Sequence, residues 1–526
     1  MKTIQILKPV LVLVIAAGFF ACAEDKGNYD YTKVNEVIIS GIKDVEDPYM
    51  VELDKVLEIE PQIEFSLGEE SPVTYEWVAL GYETDQYKPG TIATSKDLKL
   101  PIKGMFGRLG EYDLVFRVTN TETEVVYSHF IKMEVTGQLA KGLIAISDIG
   151  GKAKVDMVAF FDGKLTFRND LLALTGSTVP VDGTPIDIVT QTDKNSPTAG
   201  DASAYAVWIL TDKHTNRVNP VDYSYQDMYS LRYALASYAY VPDQVADRIV
   251  QAGSSASYLY KDGYWLYYVA TGTPYLWGAT INVDRSVSPK KQFEAAPYGA
   301  FSSQYGVIFN EDDNSFMYHS VFMVSTDVGL STTPITTGTK FMKPNTPFEL
   351  KYMDNRRRLN TNAFAILKST VDGKHYMGTF TFNMYGATEG DLYDISPAED
   401  IATAISYAWH PTHNFLYFAT EDAVYEVKTS VTPVTVKKVV DAKAAGEKVS
   451  MIKYLKITTT NTFGSATNAS LAVCTYDPDG KVGSNGTVRM YNTDAIDGGL
   501  TIVKHNDEDM AWSGFGKIVG IDLKEK

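Results

Sequence analysis

The stretch "GLIAISDIGGKAKVDMVAF", from Gly142 to Phe160, decides the fold of most of this 526-residue chain. It reads as an apolar strand, a turn that contains two glycines, and a second apolar strand, the pattern of an antiparallel hairpin. Comparable pairs of strands recur around turns of Asp, Gly, Asn and Lys. They include "SASYLYKDGYWLYYVAT", "YGVIFNEDDNSFMYHSVFM", "AFAILKSTVDGKHYMGTFTF", "NFLYFATEDAVYEVKTS" and "SLAVCTYDPDGKVGSNGTVRMYN".

The number of these hairpins predicts a β-propeller over residues 137–526. Roughly 390 residues, at about 50–55 per four-stranded blade, suit about seven blades. The final "GFGKIVGIDLKEK", from Gly514 to Lys526, is short and apolar. We expect it to close the ring of blades against the first hairpin. No strict repeat is visible, so an arrangement of two sandwich domains is the alternative.

Residues 34–136 show a different pattern, alternation with period two over short segments. In "EYDLVFRVTN" the apolar side chains of Tyr112, Leu114, Phe116 and Val118 fall on every second position. Such alternation, interrupted by Gly, Pro and Asn turns, is typical of half-buried antiparallel strands. The fold predicted from the whole sequence is therefore all-β, an immunoglobulin-like sandwich followed by a propeller.

The sandwich segment resembles a known family. The "YEW" strand (Tyr75 to Trp77) and "GEYDLVFRVTNTETEVVYSHFIKMEV" (Gly110 to Val135) are similar to PKD-like immunoglobulin-type domains. The preceding "DKGNYDYTKVNEVIISGI" (Asp25 to Ile42) resembles the opening of PKD-like surface lipoproteins of Bacteroidota. Members of that family are typically encoded beside SusC/SusD-type outer-membrane importers. The resemblance therefore implies nutrient uptake, with SusC-like and SusD-like proteins as partners.

The N-terminus predicts a lipid anchor. Two lysines and the apolar run "PVLVLVIAAGFFA" precede Cys22, the pattern of a secretory signal too short to span a membrane. "FFAC" resembles a relaxed lipobox, so residues 1–21 are predicted to be a lipoprotein signal, Cys22 the lipidated residue and 22–33 a tether. The acids Glu24 and Asp25 resemble an export signal to the outer leaflet of the outer membrane. A plain signal peptide with an incidental cysteine is the alternative.

Charge and cysteine content argue against nucleic-acid binding, an intrachain disulfide and a cysteine zinc site. The formal net charge of -17 opposes binding to nucleic acid phosphates. Once Cys22 is acylated, only Cys474 remains, so neither an intrachain disulfide nor a cysteine zinc site can form. Cys474 lies in the apolar strand "SLAVCTY" and is expected to be buried.

Sequence motifs that would identify an enzyme are absent. The chain has no HExxH, no GxSxG, no phosphate loop and no nicotinamide or flavin fingerprint. In "WHPTHN", His410 and His413 flank a proline, which favours a turn between two strands over a metal pair. The 65 acids are too many to single out a glycosidase pair. We therefore predict a non-enzyme with no cofactor and no metal.

Aromatic residues supply the candidate binding positions. The segment Tyr223–Val241 predicts a helix of about 14 residues, either packed onto the propeller rim or presenting an aromatic ridge. A Gly-Thr-Pro break places Tyr275 and Trp277 in a loop, whereas Trp208 and Trp265 are expected in the core. The predicted ligand-binding residues are Tyr225, Tyr229, Tyr233, Tyr275 and Trp277.

The sequence thus predicts a surface lipoprotein that binds a peptide or glycan, without catalysis, for a SusC/SusD-type importer. Peptides are favoured, because no paired tryptophan platform for polysaccharide is visible. A cell-surface propeller hydrolase and a purely structural scaffold are the alternatives.

Overall fold

The structure, a computed structural model, describes residues 34–52, 55–80, 90–102, 110–161, 163–192, 205–236, 241–252, 256–268, 276–325, 329–356, 361–455 and 470–525. Contacts divide the chain between Val135 and Thr136 into two compact domains, one residue before the predicted boundary. The predicted signal, Cys22 and the tether lie outside the described residues. Over the described ranges, no helix has the length and apolar character needed to cross a membrane.

The N-terminal domain is an antiparallel β-sandwich. Its strands are β1 (Val37–Ser40), β2 (Tyr49–Glu52), β3 (Val56–Ile59), β4 (Gln62–Phe65), β5 (Val73–Leu80), β6 (Gly90–Ala93), β7 (Leu98–Pro101), β8 (Gly110–Asn120) and β9 (Val126–Thr136). A five-stranded sheet has the order β2-β9-β8-β5-β6, and β1-β4 and β3-β7 form two-stranded ladders. Trp77 and Phe116 are fully buried in its core, with ring centroids 4.4 Å apart. Of the side chains predicted to alternate along β8, Leu114, Phe116 and Val118 are buried and Tyr112 is half-buried.

The C-terminal domain is built almost wholly of short strands. They are β10 (Lys141–Asp148), β11 (Ala153–Phe161), β12 (Lys164–Arg168), β13 (Pro185–Thr192), β14 (Tyr205–Thr211), β15 (Thr215–Val218), β16 (Arg248–Gln251), β17 (Ser257–Lys261), β18 (Tyr264–Tyr268), β19 (Trp277–Thr280), β20 (Val283–Asp284), β21 (Lys291–Gln292), β22 (Ala295–Phe301), β23 (Tyr305–Asn310), β24 (Ser315–Ser325), β25 (Gly329–Pro334), β26 (Phe348–Asn355), β27 (Asn362–Ser369), β28 (His375–Asn383), β29 (Gly386–Asp394), β30 (Ser406–Trp409), β31 (Phe415–Ala419), β32 (Ala423–Lys428), β33 (Thr435–Asp441), β34 (Lys448–Tyr454), β35 (Leu471–Tyr476), β36 (Gly486–Thr493), β37 (Leu500–Ile502), β38 (Lys504–His505), β39 (Glu508–Asp509), β40 (Ala511–Phe515) and β41 (Lys517–Lys524). One helix, α1 (Leu171–Thr175), and 3₁₀ turns at Asp227–Tyr229, Leu231–Ala234, Pro242–Gln244, Glu399–Thr403 and Lys443–Ala445 complete the described elements.

These strands form sheets that follow one another along the chain, as in a β-propeller. In the described part of this domain there are seven sheets of three or more strands. Six begin with β13, β16, β22, β26, β30 and β34 and continue outward through the strands that follow in the sequence. The sheet that begins with β22 adds, beyond β25, the strands β20 and β21, which precede it in the sequence. Two sandwiches would instead place strands distant in sequence side by side. The propeller prediction is confirmed, and the number of blades stays a prediction.

The first sheet joins the two ends of the domain. Its order is β12-β11-β10-β41, and β41 pairs antiparallel with β10 from Gly142↔Lys524 to Asp148↔Lys517. The buried Lys524 side chain donates to the backbone carbonyls of Leu139 (3.2 Å) and Ala140. The C-terminal strand therefore closes the fold against the first hairpin, as predicted.

The helix predicted over Tyr223–Val241 is wrong. The described part of this segment holds two 3₁₀ turns, Asp227–Tyr229 and Leu231–Ala234, separated by Ser230 in extended backbone (φ -71°, ψ 153°). Ser and Tyr are weak helix formers, so tertiary contacts decide the backbone here. Leu231 is fully buried, and its packing fixes the second turn.

Several local predictions are confirmed. Trp208, Trp265 and Cys474 have no exposed surface. The "WHPTHN" segment turns between β30 and β31, where His410 Nδ1 accepts the backbone N–H groups of Thr412 (3.1 Å) and His413 (2.9 Å). "DPDGKVGSNG" likewise connects β35 to β36.

Candidate functional site

A cavity of about 680 Å³ lies where the inner strands of the C-terminal domain converge. All seven inner strands, β13, β16, β22, β26, β30, β34 and β41, contribute residues to its wall. This arrangement is the central channel of a propeller. Because an inner strand has no further strand of its own sheet on that side, the side chains that point into the channel and the backbone groups of that edge can contact a ligand.

One side chain from each inner strand defines the chemistry of this channel. We call the following seven residues the channel set: Asp187, Arg248, Tyr298, Tyr352, Tyr407, Lys453 and Asp522. Three consecutive inner strands, β22, β26 and β30, supply the tyrosines, and the other four supply charges. The channel therefore has an aromatic side and a charged side.

The aromatic side is a continuous row of three rings. The ring centroids of Tyr298 and Tyr352 lie 4.9 Å apart with planes at 52°, and those of Tyr352 and Tyr407 lie 5.5 Å apart at 36°. Burial raises the pKa of Tyr407 to about 12 and that of Tyr352 well above its ordinary value. Both hydroxyls therefore stay protonated near neutral pH, and that of Tyr352 donates to Asp354 Oδ2 at 3.3 Å. The tilted planes make a corrugated apolar wall and not a flat platform.

Backbone contacts fix most of the charged side. Lys453 Nζ donates to the carbonyl of Ile521 at 2.7 Å. Asp522 Oδ2 accepts from both the backbone N and the Oγ1 of Thr190, each at 2.8 Å. These bonds join β34, β41 and β13, so the side chains of this wall have fixed positions.

Close approach of β41 to β13 depends on a glycine. A Cβ at Gly520 would lie 2.5 Å from Asp187 Oδ1 and 2.8 Å from the backbone N of Ile188. The same Oδ1 accepts the N–H of Ile188 at 2.8 Å. Burial raises the pKa of Asp187, and Lys453 and Arg248 oppose that rise.

Arg248, unlike Lys453, is held by a ring contact and not by a hydrogen bond among the described residues. Its guanidinium carbon lies 4.7 Å from the ring centroid of Tyr298, a cation–π contact that orients the group. Among the described residues, no hydrogen bond and no ion pair within 4.0 Å reaches its side chain. Its five N–H donors are thus open to the channel.

The channel wall is positive within a strongly negative protein. Its charged residues are the cations Arg248, Lys351, Arg356, Lys368 and Lys453 and the anions Asp187, Asp354 and Asp522. Arg356 stacks at 4.2 Å over Trp409 and donates to the carbonyls of His410 (2.8 Å) and His413 (2.6 Å). Against a chain charge of -17, this local excess of cations favours an anionic ligand.

The described ranges contain no grouping of three or more His, Cys, Asp or Glu side chains arranged as a metal site. What the channel offers is recognition, through rings for apolar or sugar faces, hydroxyl donors, and cations for acidic groups.

The predicted aromatic ridge is wrong. Tyr229 is 5% exposed and lies over the guanidinium of Arg217, 5.7 Å from ring centroid to Cζ. Tyr225 is half-buried and its hydroxyl donates to Asn216 Oδ1 at 3.4 Å. Only Tyr233 among the three is well exposed, at 51%. The rings of Tyr225 and Tyr229 contact each other edge to face, with centroids 6.4 Å apart. Without a helix, however, the three side chains do not form the predicted ridge, and none of them lines the channel.

The loop position predicted for Trp277 is also wrong. Trp277 begins β19, pairs with Tyr268 and is fully buried, with its ring centroid 5.3 Å from that of Trp208. A ring without exposed surface cannot bind a ligand at the surface. Tyr275 and Cys22, the other two predicted site residues, lie outside the described residues.

Sequence reasoning missed the whole channel set. Its members are spread from Asp187 to Asp522, one for each sheet, and no local motif joins them. The signal that could have found them is position: each lies in the strand that forms the inner edge of its sheet.

Comparisons with known proteins agree with the sandwich prediction. A family described as PKD-like matches residues 22–180, which confirms the resemblance seen in the sequence over that segment. No curated protein matches the chain.

Solved structures with a similar arrangement include three from different sources. A quinonprotein alcohol dehydrogenase-like protein from Bacteroides thetaiotaomicron is 12% identical with a TM-score of 0.38, covering 91% of this chain and 96% of its own. Hsv2 from Kluyveromyces lactis is 10% identical with a TM-score of 0.34, covering 69% and 99%. A protein from Bacteroides fragilis described as exported is 9% identical with a TM-score of 0.25, covering 54% and 80%. The similarity to the PKD-like family covers the N-terminal part of the chain, residues 22–180.

Proposed function

We propose that this protein is a non-catalytic binding subunit on the outer surface of the outer membrane. An acylated Cys22 tethers it, and it captures peptide or glycan fragments for a SusC/SusD-type importer. The observation that carries the binding role is the channel of about 680 Å³ with its tyrosine row and with Arg248, which has no ion-pair partner among the described residues.

The size of the channel suits a short oligomer. Ligand pockets usually measure about 300–1,000 Å³ and combine apolar walls with a few polar groups that fix orientation. The channel set has this composition, because three tyrosines face two cations and two carboxylates. A ligand of a few amino acids or sugar units would fill it.

The importer setting rests on the resemblance of the N-terminal segment to PKD-like surface lipoproteins. A lipid tether places the protein in the same membrane plane as an importer, which raises the effective concentration of both partners. Even a weak interface would then be occupied. A stable complex with the importer that does not depend on the tether requires an interface that buries about 1,200–2,000 Å² of surface in total.

A retention experiment tests ligand binding. The chain from residue 22, with Cys22→Ala, is dialysed against tripeptide and trisaccharide libraries, and retained compounds are identified by mass spectrometry. We expect retention of unmodified oligomers. A scaffold would retain none, and a hydrolase would release shortened products; either result would contradict the proposed role.

One feature favours the hydrolase alternative. The carboxylates of Asp187 and Asp522 both line the channel and repel each other. Burial, with this repulsion, raises the pKa of Asp187. Asp522 instead accepts two hydrogen bonds from Thr190. Two carboxylates with different environments can divide acid and base roles. If shortened products appear, Asp187→Asn should abolish them, whereas a pure binder shows no products from either chain.

Affinity purification from gently solubilised membranes tests the partnership. We expect SusC-like and SusD-like proteins to be recovered with the wild-type chain and to be reduced with Cys22→Ala, which lacks the tether. Recovery of the wild-type chain alone, under conditions that preserve the SusC–SusD pair, would contradict the accessory role.

A further inference from the structure

We infer that the channel selects ligands that carry a carboxylate, and that Arg248 is the residue that binds it. This inference rests on the proposed binding function and names the chemical class of its ligand. The observation behind it is an arginine that is oriented in the channel wall and that has no acidic partner in the part of the chain that the structure describes.

The fold orients the Arg248 side chain but gives its N–H donors no hydrogen-bond acceptor among the described residues. The residue opens β16, where its backbone pairs with Tyr260 of the next strand. Its guanidinium stacks on Tyr298 at 4.7 Å, which occupies one face of the plane. Stacking leaves the N–H edge available, and that edge matches the two oxygens of a carboxylate.

Asp187, an acid of the channel set, does not serve as the ion-pair partner of Arg248. Asp187 influences Arg248 electrostatically, but no ion pair within 4.0 Å joins them among the described residues. Asp187 Oδ1 instead accepts the backbone N–H of Ile188 at 2.8 Å. Arg248 therefore interacts electrostatically with Asp187, but its side chain has no hydrogen-bond acceptor among the described residues.

Lys453, the second cation of the channel set, strengthens the preference of the channel for a carboxylate. Lys453 uses one donor on the carbonyl of Ile521, and an ammonium group has three donors. The channel wall also holds five cations against three anions. An arriving carboxylate therefore enters a positive field in a protein whose remaining surface repels it.

The tyrosine row determines which ligand atoms can lie next to the carboxylate. Tyr298 and Tyr352 offer tilted rings to the atoms next to the acidic group, whereas the Tyr352 hydroxyl already donates to Asp354 Oδ2 at 3.3 Å. A peptide C-terminus and a uronic acid share this chemistry of a carboxylate on a compact, partly apolar frame. Neutral oligosaccharides and amidated peptides lack it.

Titration calorimetry on the chain from residue 22 with Cys22→Ala tests the inference. The probes are a tripeptide library with free carboxyl termini, the same library as C-terminal amides, trigalacturonate and maltotriose. We expect at least one acidic member to bind about tenfold or more tighter than its neutral counterpart, as loss of a charge-assisted pair implies. Whether the acid is a peptide or a uronate identifies the source of the carboxylate.

Variants locate the carboxylate. Arg248→Gln should remove the preference for the acid, and Arg248→Lys should restore part of it, because the charge returns without the planar donors. Lys443→Gln removes a cation that is 75% exposed outside the channel and should leave the preference unchanged. Thermal unfolding checks that all variants fold.

The outcomes separate this inference from the proposed function. Equal binding of acids and neutral counterparts, or a preference that survives Arg248→Gln, would overturn the inference while leaving the binding role intact. If no probe of either kind binds, the proposed function fails and the inference fails with it.

Discussion

Cys474 shows how burial controls chemistry at a single residue. It lies in β35 with no exposed surface, and burial raises the pKa of its thiol to about 12. A buried, protonated thiol reacts slowly. We predict that the Cys22→Ala chain shows almost no reaction with a disulfide reagent at pH 8 and one thiol for each chain after unfolding in guanidinium. Rapid stoichiometric labelling of the folded protein would contradict the assigned strand.

Glu426 gives stability a pH dependence. It is 3% exposed, and burial raises the pKa of its carboxyl from 4.5 to about 7, with Lys437 opposing the rise. The native state thus binds this proton more tightly than the unfolded chain, so stability falls as pH rises from about 4.5 to about 7. The loss is on the order of 3 kcal/mol.

We predict that Glu426→Gln flattens this slope. Urea unfolding at pH 5 and pH 8 should show a smaller difference in free energy of unfolding for the variant than for the wild-type chain. Glu421→Gln, at a carboxylate that is 54% exposed and paired with Lys448, is the matched control and should keep the wild-type slope. An unchanged slope in Glu426→Gln would contradict the assignment.

Burial of individual aromatic residues was only partly predictable. Trp208 and Trp265 stand within long apolar runs, so their core positions follow from the sequence. Trp277 follows a Gly-Thr-Pro break and reads as a loop residue, yet it is buried against Tyr268 and Trp208. Those partners lie on other strands, and the sequence around Trp277 carries no sign of them.

Among the elements, strands and turns were the most predictable. Alternation is a local property, so β8 and the hairpins of the C-terminal domain could be identified from neighbouring residues alone. The segment around Ser230 was not predictable in this way. Its helical spacing is real, but buried Leu231 and Tyr229 favour two short turns over one helix.

The contact between β13 and β41 yields a prediction for this pair of elements. Gly520→Ala places a Cβ 2.8 Å from the backbone N of Ile188, so the two strands must separate. We expect a loss of about 1–3 kcal/mol in free energy of unfolding, measured by urea denaturation.

A second glycine serves as control for that substitution. A Cβ at Gly137 would meet nothing within 4 Å, so Gly137→Ala should change stability little. Equal stability of both variants and the wild-type chain would contradict the tight approach of β41 to β13.

On the scale of the whole molecule, the site exists only once all sheets have assembled. The channel set draws one residue from each of seven inner strands. One of these strands is β41, at the C-terminal end of the chain, which supplies Asp522. Sequence reasoning could predict the propeller, because its hairpins are local and repeated. It could not predict the site, because rings in contact, such as those of Tyr298 and Tyr352, lie on different sheets that meet only in the assembled domain.

The central claim is that ligand binds in this channel, and hydrogen–deuterium exchange tests it most directly. Exchange of the Cys22→Ala chain is followed by mass spectrometry with and without a saturating ligand from the tripeptide or trisaccharide libraries. We predict ligand-dependent protection in peptides that cover the inner strands, above all β16, β22 and β26, with no change in the segment from Tyr225 to Tyr233. Protection confined to that segment, or none on any inner strand at full saturation, would contradict the account.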